Sequence, residues 1–365
     1  MKIFRNIMLL ALSIAILGSC DDDGYIDPIT AVDPGPDEAA PTVNIISPSE
    51  GATIRVREDV TPIEISFEVE DDIEVQSIVI ALDGSQIASF SDFMDYRRVI
   101  DQYVYEELTN GQHTLTVTAT DVSGKTTTES VTFEKLEPYT AVYEGEVLYM
   151  PFDGSFLELV NVVSPTVVGT PGFAGEGVVG GNSYKGAEGA YLTIPTENLN
   201  LTDAFSAVFW MKVNGTPDRA GILVVGPPDP DRPNAMNNRT SGFRFFREAA
   251  AGMQRFKLNV GTGESDSWFD GGAAADVAPN TGEWVHMAFT ISDTEAKVYI
   301  NGEVVSEGTF GGVSWADTDI LSIMSGAPRF AEWGHLSDQS QMDELRIFNT
   351  VLTQEQIQQI IDDES

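Results

Sequence analysis

Short runs in which polar and apolar residues alternate recur along the chain from Pro41 onward. Examples are "IEISFEVED", "QSIVIALDG" and "HTLTVTATD", which are rich in Val, Ile, Thr and Phe and are separated by turn residues such as "LDGS" and "VSGK". Successive side chains of a β-strand point to opposite faces, so a strand with one buried face alternates in this way. The pattern predicts an all-β protein made of antiparallel sandwiches.

The length of the patterned region predicts two domains. About 345 residues follow the N-terminal apolar segment, which is more than one ordinary domain holds. The runs are short in residues 41–136, and they become longer and richer in glycine in residues 140–365. We therefore expect one domain over residues 41–136 and a second over residues 140–365.

The first 40 residues have a different composition. Lys2 and Arg5 precede an apolar run from Ile7 to Leu17, which is too short for a stable membrane span. This arrangement predicts a secretory signal peptide over residues 1–19. Residues 20–40 are rich in Asp, Pro and Gly, which predicts a solvated tether.

Cys20 is the only cysteine of the chain, so it cannot form an intramolecular disulfide. It ends the stretch "LGSC", which resembles the bacterial lipoprotein box, where a peptidase cuts before a cysteine that carries lipid. The resemblance implies that Cys20 is lipidated and anchors the protein in a membrane. The alternative is an ordinary secretory signal with an incidental cysteine, although an exported protein is expected to avoid a free thiol.

The residues after Cys20 bear on topology. Asp21, Asp22 and Asp23 resemble the export tag of Bacteroidetes-type lipoproteins, which implies an outer-membrane protein that faces the cell exterior. In other bacteria an aspartate after the lipidated cysteine signals retention at the inner membrane. The two topologies remain open at this point.

The chain is strongly acidic. It carries 57 Asp and Glu against 20 Lys and Arg, a formal net charge of −37. Binding to nucleic acid depends on cations that neutralise phosphates. We therefore expect no nucleic-acid partner.

The first patterned domain resembles a bacterial immunoglobulin-like domain. The resemblance rests on "PTVNIISPSEGATI" at its start and "GQHTLTVTATDVSGKTTTESVTF" at its end. The chain has no cysteine pair, so the disulfide of antibody domains is absent. Such modules serve most often as spacers, and a fold alone assigns no site.

The second domain resembles a laminin-G-like, concanavalin A-type jelly roll. The resemblance rests on "FSAVFWMKVNG", "GEWVHMAFTISDTEAKVYINGEVV", "MDELRIFNTVLTQEQI" and the opening strand "VLYMPFDGS". It implies two curved antiparallel sheets, commonly with a calcium ion and a surface that binds carbohydrate or protein.

Two local features of the second domain can be predicted from the residues alone. Asn301-Gly302 lies between two alternating runs and predicts a tight hairpin, because both residues accept positive φ. Near the C-terminus, Thr353 and Gln356 predict the capping box of a short helix that packs on a sheet edge, with Leu352 and Ile357 as its hydrophobic staple.

Two aspartates are candidate metal ligands. Asp343 alternates with Leu345 and Ile347, so its carboxylate is predicted to face the core, where it needs a cation or several donors. The family resemblance implies calcium, with Asp153 of "FDG" as a second ligand and a structural role for the ion. The alternative makes Asp153 a turn residue and Asp343 an acceptor for backbone N–H groups. Both readings remain open.

Three tryptophans are candidates for sugar binding. Trp268, Trp315 and Trp333 lie among small and polar residues, where loops are expected. A sugar ring stacks its C–H face on an exposed aromatic ring, and its hydroxyls form hydrogen bonds. These three residues and Phe269 are therefore predicted to form an aromatic platform, the alternative being that each tryptophan packs back onto the sandwich.

Positive charge is concentrated in the sequence from Asp218 to Lys257, which contains seven Arg and Lys residues and four Asp and Glu residues. Arginines bind carboxylate and sulfate groups through paired hydrogen bonds, so this segment is a candidate for binding an anionic polysaccharide. Arg239 and Arg247 are the candidate contacts, with Asn237 from the same segment. The alternative is a strand face with internal salt bridges.

These features lead to the hypothesis of a lipid-anchored outer-membrane protein that captures polysaccharide in a utilisation system. The resemblance implies that such a protein works beside the components of a glycan transporter. Catalysis is not expected, because the motif Glu-x-Asp-x-x-Glu is missing and Phe269 stands where its second glutamate belongs. An adhesion or structural protein that binds a protein or matrix partner is the alternative. A divergent glycoside hydrolase or polysaccharide lyase is a third.

Overall fold

The computed structural model describes residues 35–365. The predicted signal peptide, Cys20 and most of the predicted tether lie outside the described residues. The chain divides into two compact units, which comprise the described residues as far as Ile54 with Val60–Lys135, and Arg55–Asp59 with Leu136–Ser365. Within the described part, no helix has the length and apolar character needed to cross a membrane.

The first unit is a sandwich of a three-stranded sheet, β1-β3-β6, and a five-stranded sheet, β2-β8-β7-β4-β5. Alternate residues of the strands point inward, and Phe67 of β3 shares one core with Ile80 of β4 and Val117 of β7. The strands of this unit are β1 (Thr42–Ser47), β2 (Ala52–Ile54), β3 (Thr61–Glu70), β4 (Val75–Leu82), β5 (Ser85–Phe90), β6 (Arg98–Leu108), β7 (Gly111–Asp121) and β8 (Thr126–Lys135).

The acidic segment that precedes β1 is bound to this unit by Lys125. Asp37 lies within the segment predicted as a tether, and its Oδ1 accepts a hydrogen bond from Lys125 Nζ at 2.7 Å. Lys125 also lies 3.7 Å from Asp121, which is fully buried. The end of the acidic segment is therefore held against the first domain by an ion pair.

The second unit contains sixteen strands, two short 3₁₀ turns and one α-helix. The strands are β9 (Glu146–Met150), β10 (Thr166–Val168), β11 (Gly172–Phe173), β12 (Tyr184–Lys185), β13 (Tyr191–Pro195), β14 (Phe205–Lys212), β15 (Arg219–Val225), β16 (Phe243–Ala250), β17 (Met253–Gly261), β18 (Asp266–Asp270), β19 (Asp276–Val277), β20 (Val285–Ile291), β21 (Glu295–Ile300), β22 (Glu303–Thr309), β23 (Ile320–Ile323) and β24 (Gln341–Phe348). The 3₁₀ turns are Thr196–Leu199 and Gly272–Ala275, and the helix is α1 (Gln354–Glu364).

These strands form two eight-stranded antiparallel sheets. The front sheet has the order β10-β13-β23-β15-β16-β17-β18, with β19 paired to β17, and the back sheet has the order β11-β12-β24-β14-β20-β21-β22, with β9 paired to β24. Aromatic rings fill the space between the sheets. The ring of Phe243 in the front sheet lies 4.9 Å from that of Phe205 and 5.0 Å from that of Phe289 in the back sheet.

The predicted hairpin and helix cap are confirmed. Asn301 and Gly302 connect β21 to β22, and both have positive φ, 51° and 78°. At the start of α1, Thr353 Oγ1 accepts a hydrogen bond from Gln356 N at 3.2 Å, and Gln356 Oε1 accepts one from Thr353 N at 2.8 Å. These reciprocal bonds satisfy backbone donors that the first turn leaves free.

The position of α1 differs from the prediction, because the helix packs on the face of the back sheet and not on its edge. It covers Val208, Ala288 and Tyr299, which belong to three adjacent strands of that sheet. Leu352 and Ile357, the predicted staple, lie buried in the same apolar cluster. The outer face of the sheet carries apolar side chains of its own, and these need a second covering layer.

His286 of β20 lies in this region and is completely buried. Neither ring nitrogen has a hydrogen-bond partner among the described residues, and the ring contacts Trp210 edge-on at 5.1 Å. Burial lowers the pKa of His286 from its ordinary 6.5 to about 3. A folded-state pKa below the unfolded value contributes stability that is present above pH 6.5 and is lost as the pH falls toward 3.

We expect His286→Leu to lose less stability than the wild-type protein on acidification. When the pH falls from 7 to 4.5, the unfolded chain binds a proton at His286 that the buried ring does not bind, which lowers the free energy of unfolding by about 2 kcal/mol. Leucine has no titratable group, so the variant does not show this loss. Urea denaturation of both proteins at the two pH values measures the difference. An equal loss in both proteins would contradict this account.

Candidate functional site

Two exposed tryptophans form a common surface on the second unit. Trp268 lies in β18 and is 44% exposed, and Trp333 lies between β23 and β24 and is 40% exposed. Their ring centroids are 5.9 Å apart, with 33° between the ring planes. Residues that are distant in the sequence therefore provide one aromatic surface open to solvent, which we call the indole pair.

The strand geometry of β18 explains why Trp268 is exposed and Phe269 is not. Leu258 of β17 is a core residue, and it pairs with Phe269, which is only 4% exposed and belongs to the same core. Successive residues of a strand point to opposite faces, so Trp268 points outward. The prediction that Phe269 belongs to the platform is therefore wrong.

A layer of buried aromatic side chains supports Trp333. Phe246 of β16 points to the outer face of the front sheet, where it contacts Phe330 at 5.3 Å and His335 at 4.7 Å between ring centroids. Phe330 stacks on His335 and contacts Trp333 edge-on at 5.8 Å. The loop between β23 and β24 thus covers Phe246 and presents Trp333 above it.

Arg239 joins the indole pair to the sheet. Its guanidinium carbon lies 4.8 Å from the ring centroid of Trp333 and 5.7 Å from that of Trp268. Its Nε donates a hydrogen bond to Asp266 Oδ2 at 2.7 Å, and Asn259 Nδ2 donates to the same oxygen at 2.8 Å. A cation over an aromatic face is attractive, so Arg239 helps to fix the orientation of both indoles.

A polar cavity of about 660 Å³ opens beside Trp333. Its walls come from the segment 229–240, from residues 264–266 where the chain enters β18, and from Glu332 and Trp333. Asn237, a predicted contact, lines the cavity and is 4% exposed; its Nδ2 donates a hydrogen bond to Glu332, whereas its Oδ1 has no partner among the described residues. The volume is within the range of small-ligand sites.

The structure thus brings together four of the predicted sugar contacts, which are Trp268, Trp333, Arg239 and Asn237. Sequence reasoning did not identify Glu332 or Asp229 as part of this site. The proline-rich acidic run "PPDPDRPN" is a signal for an irregular, polar loop. It contains no information about the other loop that it meets.

Trp315 does not belong to the indole pair. It is half-buried, its ring lies 5.7 Å from Phe205 and 6.2 Å from Phe243, and its Nε1 donates a hydrogen bond to the carbonyl of Thr202 at 2.7 Å. These contacts direct the indole toward the core. The platform prediction is therefore wrong for Trp315, and the packing alternative describes it.

Arg247 is not available to a ligand either, so its prediction as a polysaccharide contact is wrong. It is completely buried and forms a two-point ion pair with Asp338, with Nε to Oδ2 at 2.6 Å and Nη2 to Oδ1 at 3.2 Å. Its Nη1 donates to the carbonyl of Pro217 at 2.9 Å. A buried guanidinium needs such partners, because a charge without them is costly to remove from water.

The other cations of the same segment are engaged in a similar way. Each except Arg244 has a carboxylate within 4 Å, and the pairs are Arg219 with Glu248, Arg232 with Asp229, Arg239 with Asp266, Arg255 with Asp276 and Lys257 with Asp270. Arg244 is completely buried and donates to the carbonyls of Ser241 and Asn238. The segment therefore corresponds to the alternative stated above, in which its cations form salt bridges within the protein.

The two candidate metal ligands bind one backbone segment. Asp343 Oδ2 accepts hydrogen bonds from Val178 N at 2.6 Å and Val179 N at 3.3 Å. Asp153 Oδ1 accepts from Gly181 N at 3.1 Å and Asn182 N at 3.2 Å. Burial raises the pKa of Asp343 to about 7, and its Oδ1 has no partner among the described residues.

The surroundings of the two aspartates supply few further ligands from side chains. Within residues 35–365, no group of three or more His, Cys, Asp and Glu side chains is placed to hold a metal ion. A calcium ion takes six to eight oxygens. Most of its ligands at this position would therefore be backbone carbonyls and water.

The two domains match known families. Residues 185–358 match the family described as the Concanavalin A-like lectin/glucanases superfamily, and residues 41–117 match the family described as the bacterial Ig domain. The predicted fold class, an immunoglobulin-like sandwich followed by a concanavalin A-like jelly roll, is confirmed. No curated protein matches the chain.

The chain is also similar to solved structures. Domain 4 of AbnA, a GH43 extracellular arabinanase from Geobacillus stearothermophilus in complex with arabinotriose, shares 20% identity over 59% of this chain and 97% of that one, with a TM-score of 0.44. The binding domain of Botulinum Neurotoxin DC in complex with SialylT shares 11% identity over 61% of this chain, with a TM-score of 0.44. The match covers 52% of that neurotoxin domain.

Proposed function

We propose that the second domain binds a glycan across the indole pair. The observation that carries this proposal is the exposure of two adjacent indoles, Trp268 and Trp333, beside a polar cavity. Sugar rings stack on aromatic faces, and their hydroxyls form hydrogen bonds with amides and carboxylates such as those of Asn237 and Glu332. Because buried side chains fix the indoles in advance, binding loses little conformational entropy.

The domain is proposed to hold the glycan without cleaving it. Glycosidases generally need two carboxyl groups on either side of the scissile bond. In β18 the position of the second glutamate of the hydrolase motif is Phe269, which points into the core. Asp266 accepts hydrogen bonds from Arg239 and Asn259, so its carboxylate serves as a structural anchor for Arg239.

The proposal extends to the location of the protein. The stretch "LGSC" and the three aspartates after Cys20 support a lipid-anchored protein of the outer membrane that faces the cell exterior. There it would capture polysaccharide within a utilisation system, beside components of a glycan transporter, and the immunoglobulin-like domain would act as a spacer. The support for this context comes from sequence resemblance.

Adhesion to a protein partner is a second candidate, favoured by an exposed apolar strip on the first domain. Ile100 and Val104 of β6 are 60% and 46% exposed, and Met94 nearby in the sequence is fully exposed. β6 is also the last strand of its sheet. Exposed apolar residues on a strand at the edge of a sheet are suited to contact with another protein.

We also propose that Asp153 and Asp343 bind a structural calcium ion. The unpartnered Oδ1 of Asp343 fits this group, because a buried carboxylate oxygen without a donor is costly unless a cation satisfies it. When bound, the ion would supply positive charge that holds the segment 178–182 against β24. Asp153 and Asp343 would hold it, together with backbone carbonyls and water.

We expect Trp268→Ala/Trp333→Ala to lose glycan retention in affinity electrophoresis. Each stacked indole contributes about 1–2 kcal/mol, so the dissociation constant rises about fivefold to thirtyfold per ring. Trp315→Phe is the matched control, since that indole packs toward the core. The unaltered protein releases no new reducing ends from the glycan. Retention that survives the double substitution contradicts the proposal and favours adhesion elsewhere.

We expect calcium to raise the thermal midpoint of the protein by a few degrees, because an ion that binds only the folded state stabilises it. Differential scanning calorimetry in calcium and in EDTA measures the shift. Asp343→Asn removes the shift, and Asp293→Asn, in an exposed turn, keeps it. An identical midpoint of the unaltered protein in both buffers would refute the calcium site.

We expect Cys20→Ser to abolish incorporation of radioactive palmitate and to release the protein from the membrane fraction. A variant in which the three following aspartates are replaced by alanine is expected to incorporate palmitate as before. Protease added to intact cells is expected not to digest this variant, because the protein no longer reaches the cell surface. An unaltered protein that takes up no label would contradict lipidation. Protease resistance of the labelled, unaltered protein on intact cells would contradict the outward-facing topology.

A further inference from the structure

We infer that the site at the indole pair takes an uncharged glycan and excludes anionic polysaccharides. This inference rests on the proposed function and adds the class of ligand to it. It favours internal salt bridges over an anionic ligand as the reason for the excess of cations between Asp218 and Lys257.

The cations at the cavity already have partners. Arg239 pairs with Asp266 at 2.7 Å, and its guanidinium lies over the ring of Trp333. Arg232 lies 3.4 Å from both Asp229 and Glu332. Each arginine thus has a carboxylate beside it that offsets its charge, which weakens its attraction for an incoming carboxylate or sulfate.

Two further basic side chains close to the cavity, those of Arg244 and His335, are buried. Arg244 is completely buried, and its two terminal nitrogens donate to the backbone carbonyls of Ser241 and Asn238. His335, beneath Trp333, has a pKa that burial lowers to about 4, so it is neutral at pH 7. Neither group can neutralise an anion in the cavity.

Negative charge exceeds positive charge on the cavity wall. Five carboxylates and two guanidinium groups line it. Two of those carboxylates, on Asp231 and Glu264, are exposed and have no partner among the described residues. Free carboxylates repel anions, and their oxygens accept hydrogen bonds from the hydroxyls of a neutral sugar. The wall therefore offers acceptors to a hydroxyl-rich ligand and repulsion to an anionic one.

The test compares polysaccharides that share a backbone and differ in charge. The pairs are dextran with dextran sulfate, methyl-esterified pectin with polygalacturonate, and hydroxyethyl cellulose with carboxymethyl cellulose, and linear arabinan is added as a further neutral probe. Affinity electrophoresis and titration calorimetry use the full chain in 20 mM and 500 mM NaCl. We expect binding to neutral probes only, with a dissociation constant that changes less than about twofold with salt.

Two double variants test the mechanism. Asp231→Asn/Glu264→Gln is expected to gain detectable binding to the anionic member of a pair in 20 mM NaCl, because two repulsive charges are removed. Asp203→Asn/Glu303→Gln is the matched control, since it removes the same charge at exposed positions that do not line the cavity. If the two variants behave alike toward the anionic probes, the inference is overturned.

The outcomes separate this inference from the proposed function. If the unaltered protein binds an anionic probe and Trp268→Ala/Trp333→Ala does not, the inference of an uncharged ligand is overturned and the proposed glycan site stands. Neutral binding that survives this double substitution overturns the glycan site. Absence of binding to every probe by the unaltered protein overturns both.

Discussion

The indole pair depends on the covering of Phe246, an aromatic side chain on the outer face of a sheet whose other face already fills the core. The front sheet directs Phe243 and Phe245 inward and Phe246 outward. An outward-facing phenylalanine needs a cover, and Phe330 with His335 provides it. The loop that carries these two rings also carries Trp333. Hydrophobic burial beneath the loop thus fixes a side chain that is itself exposed.

Strand alternation made much of the fold predictable from the sequence. The pair Asn301-Gly302 located a hairpin, and the capping box of Thr353 and Gln356 located the start of the helix. These features are set by neighbouring residues. The position of α1 on the face of the sheet could not be predicted from neighbouring residues. It depends on outward-facing residues of three different strands, such as Val208 and Ala288. No local pattern records which strands become neighbours.

The candidate site shows the same division between local and tertiary information. Trp268 and Trp333 could be selected because polar residues surround them in the sequence. Trp315 has similar neighbours, yet it packs toward Phe205 in the core. The positive segment was also a poor predictor of an anion-binding site, because its cations pair with carboxylates that are distant in the sequence, as Arg247 does with Asp338. Local charge balance is a poor guide to the charge that a ligand meets.

The most direct test of the glycan site is a titration of isotope-labelled protein with a neutral glycan, followed by the five indole N–H signals in proton–nitrogen correlation spectra. The account predicts that the signals of Trp268 and Trp333 shift. It also predicts that Trp210 and Trp315, whose indole N–H groups donate to Glu364 and Thr202, keep their positions. Shifts confined to tryptophans outside the indole pair would contradict it.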